Sequence, residues 1–87
     1  MDHPRLVTGT RVLYDDVRDE HLLLIPEGAF LLNSTAAEVL GLCDGERSLD
    51  DITATLSERY GGADVAEDIR QLLDGLALHG LVVDGPM

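Results

Sequence analysis

The stretch from residue 21 to residue 47 constrains the fold more than any other part of this 87-residue chain. Two short apolar runs, residues 22–25 and 29–32, are separated by Pro26-Glu27-Gly28. Proline cannot donate to a sheet hydrogen-bond ladder, and glycine permits the positive φ that tight turns often need. The stretch therefore predicts two antiparallel strands joined by a tight turn and followed by a helix.

A further strand is predicted before this stretch and two further helices after it. Residues 11–17 begin with alternation, since Val12 and Tyr14 point to one face and their neighbours to the other. Helix caps are predicted at Asn33, at Ser48 and at Asp64. A run of strands followed by a run of helices indicates an α+β fold. We expect a three-stranded antiparallel sheet followed by three helices that cover one face of it.

Apolar residues recur at helical spacing in each predicted helix. The three stripes are Ala36, Val39, Leu40 and Cys43; Leu49, Ile52, Leu56 and Tyr60; and Val65, Ile69, Leu72, Leu73 and Leu76. Residues 11–84 are expected to form one domain. Residues 1–10 lack periodicity and are predicted to be a flexible arm, and residues 85–87 are predicted to fray. Residues 81–83 are predicted to be an extended tail that packs on the sheet or on its own helix.

The net charge of −11 excludes some classes of partner. Nucleic-acid binding relies on basic residues that displace counterions, and anionic membranes repel an acidic protein in the same way. We therefore expect no nucleic-acid and no membrane partner. A basic peptide or protein patch would be attracted, although the acidity is equally explained by solubility. The first residues contain no basic-then-apolar signal segment, so a cytoplasmic location is expected.

No arrangement of residues indicates catalysis, a metal or a cofactor. The histidines, His3, His21 and His79, have no zinc-ligand spacing to one another or to Cys43. Cys43 lies on an apolar stripe, which favours a buried structural thiol. Adjacent acidic pairs fall in a predicted turn or helix start, where solvation and capping explain them. We therefore expect a protein that is not an enzyme.

The third predicted strand has no charge along its length, and it is predicted to lie at an edge of the sheet. Its residues are Ala29, Phe30, Leu31, Leu32 and Asn33. Natural proteins usually protect such edges with charge or proline. An unprotected apolar edge invites an added strand, either from a peptide or from a second copy in a homodimer. The alternative is that a helix or the tail at residues 81–83 covers the edge.

Four short motifs follow one another along the chain: Tyr14-Asp15, Leu23-Leu24-Ile25-Pro26-Glu27-Gly28, Leu32-Asn33, and Leu42-Cys43-Asp44-Gly45 with Arg47. In this order and spacing they resemble the PqqD family (pyrroloquinoline quinone biosynthesis protein D), whose members are peptide-binding RiPP recognition elements. The resemblance covers residues 11–83. It implies a winged-helix-like fold that binds the leader of a ribosomally made precursor peptide and presents it to a radical S-adenosylmethionine enzyme.

The resemblance also implies where the peptide binds, as a strand beside the third predicted strand and against the third helix. We expect Ile69 and Leu73 to line the groove and to be partly exposed, although Leu72 and Leu76 are an equally permitted pair by spacing. Arg70, and secondarily Arg59, are the basic residues expected to contact an acidic leader. The full predicted set is Ala29, Phe30, Leu31, Leu32, Ile69, Arg70, Leu73 and Leu76.

Three other functions fit parts of the sequence. Recognition elements of the same type serve other peptide pathways, mycofactocin among them. A DNA-binding winged helix fits the predicted fold, but the acidic charge opposes it. An acyl carrier protein would also be small and acidic, but here Ser48-Leu49 follows Arg47 instead of aspartate, and the chain opens with strands.

Overall fold

The computed structural model describes residues 2–85 and confirms the α+β class, with a three-stranded meander followed by three helices. It adds a short strand near each end of the described chain. The elements in order are β1 (Pro4–Leu6), β2 (Arg11–Asp15), β3 (Glu20–Ile25), β4 (Gly28–Leu32), α1 (Ser34–Gly41), α2 (Leu49–Arg59), α3 (Ala66–Leu78) and β5 (Val82–Asp84).

The meander is a three-stranded antiparallel sheet in the order β2-β3-β4. Its register places Val12, Leu23 and Phe30 in one row across the strands. Leu23 is fully buried, so this row faces the helices. Successive side chains on a strand point to opposite faces, and the neighbouring rows therefore face away from the helices. Within residues 2–85, no strand pairs with the outer edge of β4.

Local capping explains where the first two helices begin. The Asn33 Oδ1 accepts the Ala36 N–H at 2.7 Å. Ser48 and Asp51 form a reciprocal capping box at the start of α2, with bonds of 3.0 and 3.3 Å. At the start of α3, Val65 occupies the cap position and has no side-chain capping bond, but the Asp64 Oδ1 accepts the Ala66 N–H at 3.2 Å, so the predicted Asp64 cap is displaced by one residue and keeps its hydrogen bond.

One apolar core joins the sheet to all three helices. Burying such surface is the main stabilising contribution in a domain this small. Most of its members come from the predicted helical stripes, although Leu49 and Tyr60 of the α2 stripe are only partly buried or exposed. The buried core residues are Leu23, Val39, Leu40, Cys43, Ile52, Leu56, Ile69, Leu73, Leu81 and Val82.

The chain ends form a second sheet that the sequence did not predict. β1 pairs antiparallel with β5, with Pro4 opposite Asp84 and Leu6 opposite Val82. Pro4 is almost fully buried, so the expectation of a flexible arm at residues 1–10 is wrong for this part of it. The predicted tail contacts α3, as expected, but pairs with β1 and not with β4.

Side-chain hydrogen bonds hold the two ends of the described chain together. The Asp84 carboxylate accepts the N–H groups of His3 at 2.8 Å and Asp2 at 3.0 Å. The Arg5 Nε donates to the Gly85 carbonyl at 3.0 Å, and the Gly85 N–H donates to the His3 carbonyl at 2.8 Å. Gly85 is therefore held in place, and the rest of the segment predicted to fray lies outside the described residues.

Among the helices described, none is long and apolar enough to cross a membrane.

Candidate functional site

The outer edge of β4 is uncharged and accessible. Residues 28–31 are all exposed, and Leu32 is half-buried. The Phe30 side chain is 48% exposed even though its row faces the helices. Free N–H and C=O groups on such an edge can accept a further strand, because nothing on the strand repels one.

A groove runs between β4 and α3, and we call it the β4–α3 groove. It consists of two adjoining cavities of about 380 and 280 Å³ that share Leu72. The larger is mostly apolar and is lined by Phe30, Gln71, Leu72, Gly75, Leu76, His79 and Leu81. The smaller lies toward the start of α1 and is lined by Asn33, Thr35, Ala36, Val39, Val65, Asp68, Ile69 and Leu72.

The structure separates the two pairs of α3 residues that spacing left equivalent. Leu72 and Leu76 are partly exposed and line the groove. Ile69 and Leu73 are only 1% and 2% exposed, so the expectation that they are partly exposed is wrong. Both belong to the core, although Ile69 also closes the base of the smaller cavity. The rotation of α3 about its axis decides this, and packing against β5 and α1 sets that rotation.

Arg70 is already paired with acids of its own helix. Its guanidinium lies 2.5 Å from a Glu67 oxygen and 3.2 Å from an Asp74 oxygen. The hydrogen bond from Arg70 lowers the pKa of Glu67 below its ordinary value. Arg70 is exposed and does not appear among the described residues that line the two cavities. Its charge is therefore balanced locally and is not directed into the groove.

Gly75 is a feature of the groove that the sequence analysis missed. It lies inside α3, and a Cβ built on it would meet no atom within 4 Å. Glycine in a helix interior costs about 0.5–1 kcal/mol relative to alanine. Because a side chain at this position would clash with nothing, the glycine is not needed to relieve crowding. Its effect is to leave the groove wider at this point of α3. An isolated glycine within a helical pattern was the available signal.

Cys43 is buried next to the end of α1, as predicted. Its thiol donates to the Val39 carbonyl at 3.2 Å. Burial raises the pKa of the thiol to about 12, and the nearby Asp44 carboxylate acts in the same direction. A thiol of this kind stays protonated at neutral pH and is a poor nucleophile or metal ligand. Among residues 2–85, no group of three His, Cys, Asp or Glu is placed to hold a metal ion.

An edge strand beside an apolar groove is suited to binding an extended peptide. Backbone hydrogen bonds along the edge supply affinity, and cavities that accept alternate side chains supply selectivity. Both parts occur here side by side, since Phe30 lies on the edge strand and also lines the larger cavity.

The same chain resembles known proteins over most of its length. A family model described as Coenzyme PQQ synthesis protein D (PqqD) matches residues 20–82. A PqqA binding protein of Azotobacter vinelandii is 40% identical over 74 residues, which cover 84% of this chain and 80% of that protein. A bifunctional coenzyme PQQ synthesis protein C/D of Methylorubrum extorquens is 41% identical over 87% of this chain, which corresponds to 21% of its own length.

A solved structure shares the fold. It is the solution NMR structure of the PqqD truncation of Methylobacterium extorquens PqqCD, described as a functional and stand-alone RiPP recognition element. The match has a TM-score of 0.79 at 36% identity and covers 92% of this chain and 87% of that one. The winged-helix-like arrangement predicted for the sheet and helices is thereby confirmed.

Proposed function

The chain belongs to the PqqD family, and we propose that it is a recognition element that binds the leader of a PqqA-like precursor peptide in pyrroloquinoline quinone biosynthesis. Relatives named PqqA binding protein support a PqqA-like peptide as the ligand, and the related NMR structure supports a role as a recognition element. Its contribution is binding and positioning, and the chemistry belongs to an enzyme partner. The observation that carries the proposal is the uncharged free edge of β4 beside the β4–α3 groove.

The leader adds as a fourth strand beside β4. Alternate side chains of this strand point toward α3 and enter the groove, where Phe30, Leu72 and Leu76 meet them. The remaining side chains point to the opposite face of the sheet. Ile69 and Leu73 hold α3 in place from the core side and thereby fix the width of the groove.

Charge has a secondary role in this binding mode. Asp68 is the charged residue that lines the groove at the end near α1, and Arg70 is paired with Glu67 and Asp74. Apolar side chains of the leader are therefore selected by shape in the larger cavity. A neutral or basic side chain is favoured beside Asp68, because a like charge in a confined site is repelled.

Presentation of the bound leader to a radical S-adenosylmethionine enzyme is the second half of the proposal. The bifunctional C/D relative carries a matching segment within a longer protein named for two synthesis functions. That arrangement supports a recognition element that works next to an enzyme, and the free edge of β4 keeps a bound peptide at the surface where an enzyme can reach it.

Leu31→Pro tests the strand-addition mode. Ile25 and Gly28 pair across a two-residue turn, which normally closes with a hydrogen-bonded pair. Hydrogen-bonded and non-hydrogen-bonded pairs alternate, so the Leu31 N–H points outward. Proline removes that donor and leaves the β3–β4 ladder intact. Leu31→Val is the matched control, because it keeps the donor and favours a strand.

Isothermal titration with a synthetic PqqA-like leader should show the proline variant at least about tenfold weaker, or about 1.4 kcal/mol. The valine variant should bind within about twofold of the parent, a change of under about 0.5 kcal/mol. A folded Leu31→Pro protein that binds as tightly as the parent would contradict the strand-addition mode.

A further inference from the structure

A row of leucines lies on the face of the sheet that the helices leave bare. Leu13, Leu22 and Leu31 are direct cross-strand neighbours on β2, β3 and β4. Leu31 is 68% exposed and Leu13 is 40% exposed. No member of this row is part of the core cluster or packs against it. We call this surface the leucine face.

Charges at the two ends of the leucine face differ. On the same side of the sheet, Arg11 lies at one end and the paired residues Asp15 and Glu20 lie at the other. The Arg18 guanidinium in the β2–β3 turn lies 4.0 Å from an Asp15 oxygen and partly balances that carboxylate, which leaves Glu20 as the negative charge of the pair, in a chain whose net charge is −11. A complementary surface has an apolar centre and Lys or Arg residues beside the position of Glu20.

A second copy of the chain fits this face poorly. A dimer through this face would bring together two molecules that each carry a net charge of −11, and like charges facing each other are repelled.

A bound leader changes the size of the leucine face. A strand added to β4 continues the sheet, and its outward side chains extend the row that ends at Leu31. The loaded protein therefore presents a wider surface, composed partly of this chain and partly of the peptide. A partner that binds there can distinguish loaded from empty protein, because only the loaded form offers the full area.

We propose that the leucine face is the docking surface for the enzyme that modifies the bound peptide, and that the enzyme contacts this face together with the outward side chains of the leader. The proposal rests on the peptide binding proposed above. By linkage, peptide and enzyme each strengthen the binding of the other by the same factor.

The double variant Leu13→Thr/Leu22→Thr tests the leucine face without altering β4. Threonine favours strands, so the sheet is retained while the apolar row is interrupted. Val17→Thr is the matched control, because Val17 is 91% exposed but lies in the β2–β3 turn, outside the row. The probe is the purified radical S-adenosylmethionine enzyme of the same pathway, measured by biolayer interferometry with and without saturating synthetic leader.

The double variant should bind the enzyme at least about tenfold more weakly when loaded, equivalent to about 1.4 kcal/mol. Its leader affinity by titration should stay within about twofold of the parent, and Val17→Thr should match the parent in both assays. Glu20→Lys, a second variant that leaves the row intact, should slow association with the enzyme at low salt.

Equal enzyme affinity for the parent and a folded double variant would overturn the docking surface while leaving leader binding intact. A parent protein that binds no leader would instead refute the proposed function itself. Circular dichroism melting separates both results from misfolding, and if the double variant does not fold, the single variant Leu13→Thr decides the question by the same comparison.

Discussion

The two sheets of this molecule differ in how far other parts of the chain protect their strands. We call the sheet of β1 and β5 the terminal sheet. Hydrogen bonds made by the Arg5 and Asp84 side chains join its two strands, and Pro4 is buried. The edge of β4 carries no charge, and no strand covers it within the described residues. Proteins normally protect exposed edges. The unprotected edge is therefore where we propose that a partner strand binds, and the terminal sheet of β1 and β5 holds the chain ends together.

The same contrast occurs across α3. Ile69 and Leu73 are buried in the core, whereas Leu72, Gly75 and Leu76 are partly exposed and line the β4–α3 groove, where Leu72 and Leu76 also pack against the margin of the core. A single helix thus joins the core to the proposed peptide groove. Variants on its two sides should separate stability from affinity.

The largest effect is expected from Leu73→Ala. Leu73 is 2% exposed, and its truncation leaves a cavity that should cost about 2–5 kcal/mol of unfolding free energy. Leu72→Ala removes the same atoms from a partly exposed position and should cost clearly less. Urea denaturation measures both variants.

Leader titration completes this comparison. Leu72→Ala should weaken binding of a PqqA-like leader by about tenfold, or about 1.4 kcal/mol, because it removes a groove wall. If Leu72→Ala destabilises the protein as much as Leu73→Ala and leaves affinity unchanged, the division of α3 into a core side and a groove side is wrong.

Cys43→Ala should cost about 1 kcal/mol of stability and leave leader binding intact, as for other small core truncations. Because burial raises the pKa of the thiol to about 12, folding is favoured while the thiol is protonated. That contribution is complete below the unfolded pKa of about 8.5 and is lost as pH rises toward 12. Unfolding measured from pH 7 to 11 should show this loss in the parent and not in the variant.

Gly75→Ala should raise stability by about 0.5–1 kcal/mol, because alanine is the better helix former and nothing obstructs its methyl group. Gly75→Leu places a larger side chain in the groove and should weaken leader binding instead. Thermal melting and titration of both variants provide the test. Unchanged affinity of Gly75→Leu would show that the peptide does not approach this part of α3.

Asp84→Asn should have the smallest effect on stability, and the effect should be confined to the terminal sheet of β1 and β5. The N–H groups of His3 and Asp2 hold the pKa of Asp84 below its ordinary value. A lowered pKa contributes stability above the unfolded pKa of about 3.9, and that stability is lost as pH falls through the folded value. The melting temperature of the variant should therefore depend less on pH between pH 5 and 2 in about 0.1 M salt. A parallel acid profile for parent and variant would contradict this role.

Local chemistry explains why most of the fold could be predicted from the sequence. Pro26 and Gly28 mark the turn between β3 and β4, and Asn33 and Ser48 form the predicted caps of α1 and α2. Each signal acts within a few residues of its position, so neighbouring residues suffice to recognise it. The uncharged β4 edge and the burial of Cys43 were predicted on the same basis.

Packing between distant residues decided the rest. The β1 and β5 strands have three residues each and pair Pro4 with Asp84, so neither is long enough to show a period of its own. The sequence by itself determined the meander, the helices, the acidic charge and the apolar edge. Only the tertiary structure decided that the chain ends pair with each other and that Leu72 and Leu76 are partly exposed in the groove, whereas Ile69 and Leu73 are buried. Helical spacing permits both pairs, and contacts with the core fix the rotation of α3.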